Sequence, residues 1–184
     1  NAAAPKFGEQ VNAQMARLEM GGAELIVHVD PLERAQWTRA GASKVEFMYR
    51  AGTGMTPRPL ARIASGGEVS RVMLACKVVL GEADARDTLV FDEVDAGVGG
   101  STANALAAVL AELAESHQVI AITHLAQVAV LADTHYTVTK TAGDAPETVL
   151  TPVEGDERVA EVARLLSGTA TETSLAHARE LLGQ

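Results

Sequence analysis

Apolar residues in the first fifty positions follow one helical and two extended patterns. Between residues 9 and 20 they recur at intervals of three and four, which predicts an amphipathic helix ending at Gly21 and Gly22. Residues 25–29 and 44–50 then alternate apolar and polar side chains, as strands with one covered face do. A polar loop joins them, so the pattern predicts a β-hairpin or two neighbouring strands.

A glycine- and proline-rich loop at residues 51–59 leads to a second region, where helical and strand patterns alternate. A helix is predicted from Gly66 onward. Residues 88–91 and 119–123 are short apolar runs, typical of strands buried on both faces. The helix between them, which Ser101 is expected to cap, makes a strand–helix–strand unit with parallel strands. The apolar stripe of the first helix comprises Val69, Val72, Met73, Cys76, Val79 and Leu80.

The remainder of the chain predicts two strands and two helices. The strands are residues 134–140 and 147–153, around a turn at Gly143–Asp144. One helix carries Val159, Val162, Ala163 and Leu166, and the other follows Thr171 with Leu175, Ala178 and Leu182. The fold class is therefore α/β, with a parallel βαβ core, flanking helices and antiparallel edge strands.

Composition narrows the function classes. The 184 residues are 47% apolar, carry a net charge of −9 and contain a single cysteine, Cys76, which is expected to be a core residue. An acidic domain with few aromatics is a poor nucleic-acid binder by itself, because Lys and Arg supply most of the affinity for phosphates. No apolar run reaches the ~20 residues of a membrane span. With no signal peptide and no initiator Met, the chain is expected to be a piece of a longer polypeptide.

Acidic and imidazole side chains follow the two central strands. Asp92 and Glu93 end the first strand and His124 follows the second, and parallel sheets bind ligands at this carboxyl edge. Asp92 is suited to hold Mg²⁺ and Glu93 to deprotonate an attacking water. The alternatives are a solvated strand end and a core or capping histidine.

The start of the long helix is the second candidate site. Ser65 can cap the helix, and Gly66 and Gly67 let bare N–H groups approach an anion before Glu68. A lone motif of this kind is more often an ordinary capped helix. Its order along the chain, followed by a helix, Asp92–Glu93 and then His124, favours a nucleotide site.

In that order these motifs resemble the second half of an ABC-type ATPase head. Residues 64–68 resemble the signature, 88–93 the Walker B segment, 94–100 the D-loop and His124 the switch histidine. Residues 63–71, 91–100, 122–129 and 161–168 more specifically resemble the RecN family of bacterial DNA repair proteins, which are SMC-like ABC ATPases.

The resemblance implies a C-terminal head lobe at residues 23–184 and the end of a coiled coil, or an entry helix, at residues 1–22. It implies ATP and Mg²⁺ as cofactors and a head-to-head homodimer. Asp92, Glu93 and His124 would act within one head, whereas Ser65, Gly66, Gly67 and Glu68 would contact nucleotide bound to the other, and Asp95 would lie at the interface. DNA would bind through the full assembly of a cytoplasmic, nucleoid-associated protein without a membrane partner.

A phosphate-binding P-loop is missing. The motif G-x-x-x-x-G-K-[ST] needs a lysine after glycine, and none of Lys6, Lys44, Lys77 and Lys140 follows one. The family places this element in an N-terminal segment, so the chain alone is expected to be inactive as an ATPase. Two alternatives stay open: the distal part of a transporter nucleotide-binding domain, and a non-catalytic, dimerising half-head.

Overall fold

The computed structural model describes residues 2–142 and 146–184, so the turn predicted at Gly143–Asp144 lies outside the described residues. No helix in the described part is long and apolar enough to cross a membrane. Short 3₁₀ turns occupy Arg34–Gln36, Leu60–Arg62 and Gly81–Ala83. The helices and strands are α1 (Ala3–Arg17), β1 (Glu24–Pro31), β2 (Ser43–Arg50), β3 (Arg58–Pro59), α2 (Gly66–Leu80), β4 (Thr88–Phe91), α3 (Ser101–Ala114), β5 (Gln118–Ala121), α4 (Ala126–Ala129), β6 (Tyr136–Lys140), β7 (Thr148–Pro152), α5 (Gly155–Ser167) and α6 (Glu172–Leu181).

Strands β1 and β2 form the predicted antiparallel hairpin, with Leu25 opposite Tyr49, and β3 extends it beside β2. Leu25 and Tyr49 are buried at the end that α1 covers. Further along the same face, the ring of Phe47 lies 6.2 Å from that of Phe7 on α1. The hairpin is thus joined to the core through α1.

Helix α1 confirms the first helical pattern, although it begins earlier and ends at Arg17, before the two glycines. Glu19 has a φ of +55°, a left-handed conformation that cannot continue a helix. Val11 and Met15 are fully buried in the main core. Arg17 pairs with Glu112 of α3 at 2.5 Å, which fixes the end of α1 against the second region.

The predicted apolar stripe of α2 is only partly correct. Val72 and Cys76 are buried, but Met73 and Leu80 are exposed. Leu74 and Ala75 are buried instead, because α1 and α3 contact this helix and widen its covered side. Burial raises the pKa of the Cys76 thiol to about 11, which agrees with its predicted role as a core residue.

Strands β4 and β5 pair in parallel, with Thr88 opposite Gln118, as the strand–helix–strand pattern predicts. The prediction that both faces are buried is wrong. Leu89 and Phe91 join the core with residues of α2 and α3, whereas Val90 is 63% exposed and Ile120 is also exposed. In the described part of the chain, helices pack against only one face of this sheet.

The predicted capping role of Ser101 is also wrong. Gly100, with a φ of +58°, occupies the N-cap position of α3, and Ser101 is the first helical residue. The Ser101 hydroxyl donates to Glu19 at 3.1 Å instead. The Ser101 side chain therefore links the start of α3 to the residues after α1. At α6, by contrast, Thr171 caps the helix as its position in the sequence indicates.

The last region contains the predicted antiparallel strands β6 and β7, with Tyr136 opposite Pro152. Helices α4, α5 and α6 form a second small core around Val159 and Val162. Arg158 donates to the carbonyls of Ala129, Val130 and Ala132, which satisfies the carbonyl end of the short helix α4.

Candidate nucleotide-binding site

The start of α2 is a capped helix terminus that faces the carboxyl end of β4. Ser65 is in an extended conformation, and its hydroxyl accepts a hydrogen bond from the Glu68 backbone N–H at 3.4 Å. The predicted cap is therefore confirmed. Ser65 and Gly66 are exposed, so the positive end of the helix dipole is open to solvent at this point.

Side chains at Gly66 and Gly67 would meet different parts of the loop after β4. A methyl group on Gly66 would collide with the carboxylate of Glu93. A methyl group on Gly67 would lie 2.9 Å from both the side chain and the carbonyl oxygen of Ala96, a contact closer than packed atoms tolerate. Gly67 therefore lets the loop after β4 lie directly against the start of α2, whereas the exposed Glu93 side chain could move away from a substituent on Gly66.

The second turn of α2 holds this loop by hydrogen bonds. Ser70 donates from its hydroxyl to the Asp92 carbonyl at 2.9 Å. Arg71 donates from one guanidinium nitrogen to the carbonyls of Val94 at 3.2 Å and Ala96 at 2.9 Å. The sequence interpretation assigned no role to either residue. A signal was available, because Ser70 and Arg71 stand three and four positions after Gly67 and so share its helix face.

Asp92 and Glu93 project from the end of β4 into solvent, since both residues are exposed. Glu93 has a φ of +57°, a left-handed conformation that is uncommon for a residue with a side chain. Its carbonyl accepts from the Ala96 N–H at 3.0 Å, which closes a tight turn. Such backbone strain costs on the order of 1–3 kcal/mol and persists where surrounding contacts enforce it. Here the hydrogen bonds from Ser70 and Arg71 of α2 to the loop after β4 hold the backbone in this conformation.

Asp95 and His124 connect the loop after β4 to the loop after β5. Asp95 is only 4% exposed, and its Oδ2 accepts from the Thr123 hydroxyl at 2.6 Å and from the His124 backbone N–H at 2.8 Å. The His124 ring nitrogen Nδ1 lies 3.0 Å from the same oxygen. Thr123 also accepts from the Leu125 N–H at 3.0 Å, at the entry to α4. The His124 ring itself is exposed.

Glu68 lies in a groove whose lining does not include Asp92, Glu93 or Asp95. It lines this groove with Tyr49, Arg71 and Gly97, on the side of α2 that faces the hairpin. The pKa of Tyr49 is raised, first by burial and then by the negative charge of Glu68. The structure thus gathers Gly66, Glu93, Asp92, Asp95 and His124 around one sheet edge and directs Glu68 elsewhere.

No group of three or more His, Cys, Asp or Glu side chains in the described residues could enclose a metal ion. This does not conflict with Asp92 as a magnesium ligand, because Mg²⁺ commonly takes one or two carboxylates, with phosphate oxygens and water completing its shell. The exposed carboxylate of Asp92 at a sheet edge fits one position of such a shell.

Comparison with known proteins gives both a fold and a sequence relationship. No family model matches the chain. The Smc head domain with a coiled coil and joint from Pyrococcus yayanosii superposes with a TM-score of 0.62 and 17% identity, covering 88% of this chain and 29% of that one. The Smc head domain with an extended coiled coil from Pyrococcus furiosus, solved bound to the C-terminal domain of ScpA, gives a TM-score of 0.55 and 19% identity over 79% of this chain and 34% of that one.

In sequence, the chain is 45% identical over 188 residues to the DNA repair protein RecN of Treponema pallidum, which covers 99% of this chain and 33% of that protein. It is 44% identical over 199 residues to RecN of Mycobacterium tuberculosis, covering 98% of this chain and 34% of the relative. It is 51% identical over 144 residues to RecN of Deinococcus radiodurans, covering 77% of this chain and 25% of the relative.

The chain therefore has the fold of part of an Smc head domain, and the α/β fold class predicted from the sequence is confirmed. Within that class, the chain is similar over nearly its whole length to DNA repair proteins named RecN, so the predicted resemblance is also confirmed. The chain spans about a third of the length of these relatives.

Proposed function

We propose that the chain is the C-terminal half of an ATP-hydrolysing, SMC-like head that acts in DNA double-strand break repair and recombination. The similarity to proteins named as DNA repair proteins supports the biological role and speaks against the transporter alternative. The observation that carries the biochemical role is that Asp92 and Glu93 follow β4 and His124 follows β5 at the same sheet edge, with Glu93 against Gly66.

Each side chain in this group has a role that its position supports. Asp92 would hold Mg²⁺, which neutralises charge developing on the transferred phosphate. Glu93 would orient the attacking water and accept its proton. His124 would contact the reacting phosphate or water through its exposed ring. Ser65, Gly66 and Gly67 would bind, through the open start of α2, the phosphates of a nucleotide held by a second head, which requires head-to-head dimerisation.

The phosphate cradle would come from a P-loop segment of the same protein. The bare face of the β4–β5 sheet supports this proposal. Among the described residues β5 pairs only with β4, and Val90, Ile120 and Ile122 are exposed although their types are those of a sheet core. A parallel strand that carries a P-loop, added beside β5, would bring its phosphate-binding loop to the edge that holds Asp92 and His124. The remaining two thirds of the relatives' length is sufficient to supply it.

DNA would be bound elsewhere in the full-length protein. With a net charge of −9 this chain repels phosphates on average, so cationic surface from other segments is needed. A protein with this task would work in the cytoplasm at the nucleoid.

The role of Glu93 can be tested in the full-length protein that this proposal places around the chain. We expect Glu93→Gln to bind ATP normally, to lose turnover by about 100-fold or more, and to accumulate as ATP-bound dimers. Steady-state hydrolysis, nucleotide binding and size-exclusion chromatography measure the three effects. Glu115→Gln, an exposed carboxylate at the end of α3, is the matched control and should hydrolyse normally. Unchanged turnover in Glu93→Gln would remove Glu93 from the proposed mechanism.

A further inference from the structure

Asp95 is a buried carboxylate whose contacts all point to the loop that carries His124. Its side chain is 5% exposed, whereas that of His124 is 67% exposed. The carboxylate therefore lies in the interior, and the imidazole ring lies at the surface, where a ligand could contact it. A single oxygen, Oδ2, accepts from the Thr123 hydroxyl and the His124 N–H, at 2.6 and 2.8 Å. A buried carboxylate is retained only where donors compensate for lost hydration, and here both donors belong to one dipeptide.

The third contact involves the imidazole ring. His124 Nδ1 lies 3.0 Å from Asp95 Oδ2, a close approach of the ring to the carboxylate. A lone pair on Nδ1 would be repelled by the carboxylate oxygen at this distance, so the contact favours the proton on Nδ1. In the neutral ring the other nitrogen, Nε2, then has the free lone pair. The contact made by one ring nitrogen thus influences what the other can do.

We propose that Asp95 is a positioning residue, which holds the His124 ring in one orientation and in the Nδ1–H tautomer so that Nε2 is presented at the nucleotide site. The consequence for hydrolysis rests on the proposed function, but the tautomer does not. Asp95 need not touch nucleotide in this role. It acts through His124 and through the Thr123 hydroxyl, which fixes the backbone on which the ring is carried.

The tautomer can be measured directly in this chain by long-range ¹H–¹⁵N correlation of the five histidine rings at a pH where they are neutral, with His124 assigned from a His124→Gln spectrum. We expect the Nδ1–H pattern for His124, and loss of that pattern in Asp95→Asn, which lacks the charge but keeps the shape. Asp133→Asn, an exposed carboxylate, is the control and should leave the His124 signals unchanged. An Nε2–H pattern for His124 in the unaltered chain, or an unchanged spectrum in Asp95→Asn, would overturn the proposal.

Kinetics of the full-length protein separate positioning from general structural support. Loss of a group that orients a functional histidine costs roughly 10- to 100-fold in activity in related situations. We therefore expect Asp95→Asn to lower kcat by this factor with KM for ATP changed less than about threefold. Since Asp95 acts through His124, the same substitution should have no further effect in a His124→Ala background.

The outcomes distinguish the positioning role of Asp95 from the proposed role of His124 in hydrolysis. If His124→Ala leaves turnover intact, the proposed role of His124 fails and the NMR result alone decides whether Asp95 positions the ring. If His124→Ala lowers turnover but Asp95→Asn does not, the positioning role is overturned while the proposed function stands. An equal loss from Asp95→Asn with and without His124 would also overturn it, because the effect would then be structural.

Discussion

The two faces of the β4–β5 sheet both carry large apolar side chains but have opposite surroundings. On one face Leu89 and Phe91 are buried in the core with α2 and α3, and on the other Val90, Ile120 and Ile122 are exposed. The loops that contain Asp92, Glu93 and His124 follow the carboxyl ends of β4 and β5. The difference indicates that the chain builds the support for its site on one side only, and that the other side is suited to receive a further segment.

The largest expected difference between the faces is in stability. Phe91→Ala, on the covered face, should lower the free energy of unfolding of the chain by about 3–5 kcal/mol, because it leaves a cavity among packed side chains. Val90→Ala, on the bare face, should change it by about 0.5 kcal/mol or less. Urea denaturation followed by circular dichroism measures both values.

In the full-length protein, Val90→Ala should lower the free energy of unfolding by more than it does in the chain. If a further segment covers Val90, the substitution also loses the transfer free energy of its methyl groups, about 1–2 kcal/mol. A Val90→Ala effect that stays the same in the chain and in the full-length protein would contradict a covering segment on this face.

A smaller effect is expected from the contact between α2 and the loop after β4. Arg71→Ala removes the donor to the Val94 and Ala96 carbonyls, and loss of hydrogen bonds from a charged donor costs about 1.5–3 kcal/mol. Thermal unfolding of the chain tests this, with Arg62→Ala, an exposed arginine outside the loop contact, as the control. Equal stability of the two variants would mean that the Arg71 hydrogen bonds do not hold the loop after β4 against α2. The covered face would then not support the candidate site through this contact.

The sequence was most informative where local patterns and strand topology decide the structure. The paired strands at 88–91 and 119–123, the Ser65 cap and the gathering of Asp92 and His124 at one edge all follow from apolar period and from the geometry of parallel strands. The position of Glu93 over Gly66 was not foreseen, because it depends on a left-handed backbone turn that has no glycine to announce it.

The predictions that failed depend on what covers an element. Continuous apolar runs indicated strands buried on both faces, but Val90 and Ile120 are covered by nothing in the described residues. The same reason exposes Met73 on α2, which borders Val90 in a shallow groove. Ser101 failed as a cap because the helix begins one residue earlier than expected, with Gly100 at the N-cap position. Burial of Asp95 likewise depends on Thr123, a contact between two loops that no periodicity encodes.

We propose that the site is composite, with the metal and water-activating groups in this chain and the phosphate cradle in another segment. The most direct test is Mg-ATP hydrolysis by the purified chain, alone and after mixing with a P-loop-bearing segment of the same full-length protein. We expect no turnover above background for the chain alone and magnesium-dependent turnover on mixing. Robust Mg-ATP hydrolysis by the chain alone would contradict it.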